Sequence, residues 1–95
     1  MTDDWPFDQP RNCAVFTLRS IVYDGCPISR VVHDSDDHGW QFLTFGDARE
    51  EDAMIVSLEE VVKLDPSVLS TADLTPGWHA WRESVDHEWI REPNA

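Results

Sequence analysis

An α+β fold, with a small antiparallel sheet of about four to six strands packed by one or two short helices, is predicted by three features of the chain. Runs rich in β-branched and aromatic residues recur at NCAVFTL, CPISRVVH and HGWQFLTF. A later segment, SLEEVVKLDP, sets its apolar residues at helical spacing between a start and a stop signal. The 95 residues suffice for one domain, because a chain of this length buries roughly 60 to 70% of its unfolded surface on folding. That single domain is expected over residues 12–92, after an irregular N-terminal arm (1–11) and before a short tail (93–95).

The arm holds two prolines and three aspartates around Trp5 and Phe7, and reads as irregular chain that docks by its aromatics. NCAVFTLRSIVY and CPISRVVH flank Asp24-Gly25, a dipeptide suited to the positive φ values of a tight turn, so two strands are predicted to form a hairpin there. In that register Cys26 stands opposite Tyr23 and Cys13 lies far up the other strand, so both are expected as free thiols. HGWQFLTF is the third strand, with Trp40, Phe42 and Thr44 on one face and Gln41, Leu43 and Phe45 on the other. Both faces carry apolar side chains, so one is predicted to meet a helix and the other loops or a partner.

AMIV is a short fourth strand. Ser57 and Glu60 then have capping-box spacing, and Leu58, Val61 and Val62 form one apolar stripe before Asp65-Pro66 ends the helix. Asp65-Pro66-Ser67 opens a second helical turn, with Val68 and Leu69 directed inward. After the loop STADLTPG, the segment WHAWRESVDHEWIRE fits a final hairpin turning near Ser84 to His87; a short helix through Trp78 and Trp81 is the alternative.

Nineteen acidic residues against seven basic ones leave a formal net charge of −12. A field of that sign repels nucleic acid and anionic membrane surfaces and speeds encounter with a basic protein. The segment MTDDWPFDQP lacks the features of a secretory signal, and no run approaches the roughly 20 apolar residues of a membrane span, so a cytoplasmic protein is expected. There is no GxSxG, HExxH or CxxC motif and no phosphate-cradling glycine loop. The expectation is therefore a binding protein and not an enzyme, with no catalytic residues and no cofactor.

The densest group of ligand-type side chains is HDSDDH, residues 33 to 38. His33, Asp34, Asp36, Asp37 and His38 all suit a divalent transition ion by chemistry. Spacing opposes it: adjacent strand residues point to opposite faces, and the glycine and glutamate positions of a calcium loop are not met. A solvated turn between two strands, without a metal, is predicted. A second acidic cluster, Asp47, Glu50, Glu51 and Asp52, follows the third strand. Of the tryptophans, Trp40, Trp78, Trp81 and Trp89 are expected mainly in the core, with Trp78 or Trp81 leaving a ring exposed after Pro76-Gly77.

In order along the chain, NCAVFTL, Gly25-Cys26-Pro27-Ile28, Asp37-His38-Gly39-Trp40-Gln41-Phe42, Gly46-Asp47, Asp65-Pro66-Ser67 and Pro76-Gly77 resemble a family of small bacterial proteins, polymorphic-toxin immunity family thirty-three, long described only as a domain of unknown function. The resemblance spans about Asn12 to Arg91, and His38 and Gln41 depart from the acid-Ser-Gly-Trp-Arg-Phe pattern. It implies a mixed α and β fold and a role in binding and blocking a cognate toxin, without catalysis. The expected partner surface comprises Asp34, Asp36, Asp37, Asp47, Glu50, Glu51 and Asp52, with Trp40 and Trp78 as desolvated anchors. The competing expectation is a metal-binding or small-ligand module built on His33, His38 and the neighbouring aspartates.

Overall fold

The β-branched and aromatic runs do form strands, and the capped segment forms a helix. The computed structural model describes residues 5–46 and 49–94. They fold as β1 (Ala14–Leu18), α1 (Arg19–Asp24), β2 (Arg30–His33), β3 (Trp40–Leu43), β4 (Ala53–Ser57), α2 (Leu58–Leu64), β5 (Trp78–Trp81) and β6 (Ile90–Pro93). Two 3-10 segments, Glu50–Asp52 and Pro66–Thr71, precede β4 and follow α2. No helix among the described residues is long and apolar enough to cross a membrane.

The strands of the described residues make one six-stranded sheet in the order β4-β1-β3-β2-β5-β6. It is mixed where an antiparallel sheet was expected: β1 and β3 run parallel, with Phe16 beside Gln41, and the other four junctions are antiparallel. The parallel junction exists because β3 inserts between β1 and β2. The hairpin predicted about Asp24-Gly25 is therefore absent. A two-residue turn joins strands one spacing apart, whereas β1 and β2 are two spacings, or about 10 Å, apart. Arg19–Asp24 spans the gap as a short helix, and Gly25 ends it at φ 72°, the left-handed conformation that glycine adopts without steric cost. The Asp-Gly signal marks a chain reversal; it is a helix end and not a hairpin.

The later elements follow their local chemistry. Ser57 Oγ accepts the Glu60 N–H at 3.2 Å, which caps α2, while the Glu60 carboxylate lies 4.0 Å from Lys63 Nζ. Leu58 and Val61 are buried and Val62 is half-buried, as the apolar stripe requires. Asp65 Oδ1 accepts the Ser67 N–H at 3.0 Å and opens the 3-10 turn, turning Val68 into the core. The tail is the hairpin β5–β6, in the register Trp81 to Ile90 and Trp78 to Pro93.

Both α-helices and the Pro66–Thr71 segment cover one face of the sheet. Val15 of β1, Val31 of β2, Trp40 and Phe42 of β3 and Ala80 of β5 share that face and meet Ile21, Leu58, Val61 and Val68. Trp40 sits at its centre. The His33 ring stacks on it at 3.9 Å and 12°, Phe7 of the arm meets it edge-on at 5.1 Å, and its indole N–H donates to Gln9 Oε1 at 2.9 Å. The arm thus docks through Phe7 and Gln9. Thr17, a polar residue on the buried face, donates its hydroxyl to the Phe42 carbonyl at 2.9 Å and so carries no unmet hydrogen bond.

Arg82 is the buried charge that ties the layers together. Its guanidinium donates twice to the Ile28 carbonyl, once to Ser67 Oγ at 2.9 Å and once to Asp65 Oδ2 at 2.8 Å, and lies 4.0 Å over the Trp89 ring. These bonds join the chain entering β2, the 3-10 turn and the β5–β6 loop. Removing one member of a buried ion pair leaves the other charge uncompensated, at a cost of about 3 to 5 kcal/mol. Asp65→Ala is expected to lower the unfolding free energy by about that much. Glu59→Ala, which removes only exposed pairs, with Arg11 and with Lys63, is expected to cost less than about 1 kcal/mol; urea denaturation of the two variants checks the contrast.

Candidate functional site

The face of the sheet opposite the helices has no layer over it. Two rows of side chains cross it. One runs Ile55, Phe16, Gln41, Val32, His79 and Glu92 from β4 to β6, each neighbour paired across a strand junction. The second runs through Leu18, Leu43, Arg30, Trp81 and Ile90. Phe16 is 50% exposed and Ile55 61%, and Phe45 and Ile90 are also exposed. Strand alternation places these residues here: every second side chain of β1 and β4 points to this face, and Phe16 and Ile55 occupy two such positions as a cross-strand pair.

The rows do not make a flat surface. A hollow of about 400 Å³ lies among Arg30, Leu43, Phe45, His79 and Trp81. A second, of about 180 Å³, lies among Phe16, Leu18, Leu43, Arg49 and Glu50. Leu43 borders both, so the two hollows adjoin at its side chain and make an interrupted trough along this face. Its polar rim is partly fixed: Trp81 Nε1 donates to Glu92 Oε1 at 3.0 Å, and His79 Nδ1 lies 2.7 Å from Asn94 Oδ1. Arg30, in the middle of the second row, has no ion pair among the described residues.

The two acidic clusters sit at opposite ends of this face. Residues 34 to 37 turn between β2 and β3, at the end where β1 begins. Glu50–Asp52 lead into Ala53, which pairs with Leu18 at the end where β1 stops. Asp34 reaches over the face itself, its Oδ2 accepting from Gln41 Nε2 at 3.0 Å. Asp36 and Asp37 are exposed, and Asp37 Oδ1 accepts the Gly39 N–H at 2.8 Å, which shapes the turn. Glu50 borders the smaller hollow, Glu51 pairs with Arg49 at 3.6 Å, and Asp52 is half-buried. Asp47 lies outside the described residues.

Neither tryptophan proposed as an anchor belongs to this face. Trp40 is 1% exposed and enclosed by the core, so it is corrected from a partner contact to a packing residue. Trp78 is 37% exposed, but it pairs with His33 and therefore stands on the helix-covered side. Trp81, three residues on, takes the open face instead. Of the residues not named as partner contacts from sequence, Phe16 and Leu43 did leave a signal, the doubly apolar pattern of the first and third strands; Ile55 and Trp81 lie on β4 and β5, outside that pattern.

The HDSDDH segment is the solvated turn of a β2–β3 hairpin. His33 faces inward and His38 lies on the turn at φ 58°, their ring centroids 6.3 Å apart. No three His, Cys, Asp or Glu side chains among the described residues are grouped so as to hold a metal ion. Cys13 and Cys26 are free thiols. No protein-family model, curated protein or solved structure matches the chain.

The reassignment of the tryptophans has a measurable consequence. Trp40→Ala is expected to lose about 3 to 5 kcal/mol of stability, the usual range for emptying a core aromatic site. Trp78→Ala is expected to lose about 1 to 2 kcal/mol. Equal losses in denaturant titrations would contradict the placement of Trp40.

Proposed function

We propose that this chain is a non-enzymatic binding protein of the immunity type, which neutralises a basic protein toxin by holding it against the open face of the sheet. The observation that carries the reading is the uncovered trough lined by Phe16, Leu43, Phe45 and Trp81 on a chain whose net charge is −12. An apolar patch within a polar rim is the ordinary anatomy of a protein–protein contact. Each large apolar side chain withdrawn from water on association contributes about 1.5 to 3 kcal/mol.

The acidic turns supply a different term. Placed at the two ends of the trough, they attract a basic surface over the whole length of the face and orient it before contact. Arg30, unpaired at the centre, favours a partner with an acid or a carbonyl group there, so the complementary surface is basic at its ends and not uniformly so. The resemblance to the immunity family supports a toxin as the partner.

The test uses immobilised protein to isolate a partner and then measures the purified pair. Wild type is expected to retain a basic protein whose activity it suppresses in stoichiometric amounts, and the folded double variant Phe16→Glu/Ile55→Glu is expected to lose it. The triple variant Asp34→Lys/Asp36→Lys/Asp37→Lys is expected to associate about tenfold more slowly at low salt, a difference that narrows as salt is raised. Retention by the Phe16/Ile55 variant at wild-type affinity would remove the open face from the account.

A further inference from the structure

Away from the open face, a cleft of about 410 Å³ lies at the helix-covered side, between the arm and the loop that precedes β5. Asp8, His33, His38, Asp73 and Thr75 are among its lining residues, and none of the described residues that line it is lysine or arginine. His33 is 6% exposed and enters the cleft from β2. Its Nδ1 lies 2.7 Å from the Leu74 carbonyl oxygen. A carbonyl only accepts, so Nδ1 carries the proton and Nε2 of the neutral ring presents a lone pair. That Nε2 is buried and has no hydrogen-bond partner.

An orphaned acceptor in a folded interior is destabilising and uncommon. Here the same carbonyl bond and the stack on Trp40 hold the ring rigidly, so the lone pair cannot turn away to find another partner. Around it the cleft offers acceptors. Asp8 has no ion pair among the described residues, whereas Asp73 is already matched by Arg91 at 2.6 Å. The group that fits is a donor with a positive charge.

We infer that this cleft is a binding pocket for an organic cation, an alkylguanidinium or alkylammonium group, which donates to His33 Nε2 and pairs with Asp8. His38, whose ring lies 6.3 Å from that of His33, lines the same cleft. A divalent metal fits less well, because the described residues provide no group of three ligand side chains. The pocket is separate from the trough on the other side of the sheet, and its occupancy does not depend on what that trough binds.

The experiment is a titration of ¹⁵N-labelled protein with methylguanidinium and with butylammonium, reading the imidazole nitrogens of His33 and His38 by NMR. Methylurea and butanol are the uncharged counterparts, and zinc is a further arm. A saturable shift of His33 Nε2 is expected with both cations and with neither uncharged compound. Asp8→Asn, at an exposed position, is expected to bind the cations about tenfold more weakly with an unchanged melting temperature. A short peptide Gly-Arg-Gly distinguishes the sources: tighter binding than methylguanidinium assigns the pocket to a protein side chain, and binding of the free cations alone assigns it to a small amine. No shift with either cation, the same shift with the uncharged compounds, a response to zinc only, or an Asp8→Asn variant that binds as wild type would overturn the inference.

Discussion

The placement of β3 between β1 and β2 is the constraint on which the rest of the molecule depends. It puts Trp40 and Phe42 at the centre of the sheet, where every element of the core can reach them. It forces the chain after β1 to cross a strand position, which is why Arg19–Asp24 is a helix. It also fixes which ends of the sheet the acidic turns occupy, because the parallel pairing of β1 with β3 sets the start of both strands at the same end. A hairpin of β1 with β2 would have produced a different face from the same residues.

A six-stranded sheet is a large surface for so short a chain to cover. After its strands, the chain retains two helices of six and seven residues and two 3-10 segments, and both helices and the Pro66–Thr71 segment give their buried residues to one side. That side is closed with some thoroughness: the arm adds Phe7, Arg82 bonds across three segments, and Thr17 satisfies its own hydroxyl. The opposite side is left to water and to the polar bonds of its rim. Leu18 and Val32 are buried there by their neighbours, whereas Phe16, Ile55 and Ile90 stay largely in water and add little to the isolated fold.

Electrostatics divides the surface in a complementary way. Several of the few cations are engaged in ion pairs, Arg82 with Asp65 and Arg91 with Asp73 on the helix side, and Lys63 with Glu59 on α2. Most acids remain uncompensated and repel one another in the folded state, a cost that association with a basic surface relieves. The apolar trough and the His33 cleft lie on opposite sides of the sheet and have different chemistry, the first lined mainly by apolar side chains and the second by hydrogen-bond acceptors.

From sequence alone, the class of fold, the capped helix at Ser57 and the turn at HDSDDH were legible, because their signals lie within short segments; the C-terminal hairpin stood beside a short helix as alternatives, and pairing of Trp78 with Pro93 decides between them. The excess of acid was legible too, since charge sums without regard to position. Pairing order was not. Asp24-Gly25 signals a reversal equally well as a hairpin turn or as a helix end, and only the arrival of β3 chooses between them. The same holds for the tryptophans: Trp40, Trp78 and Trp81 are alike in composition, and their separation into core, helix side and open face is decided by strand register, a property of partners distant in the chain. Local chemistry determined what each segment could be; tertiary pairing decided which side of it would meet water, because a strand has two faces and its own sequence does not say which one the helices will cover.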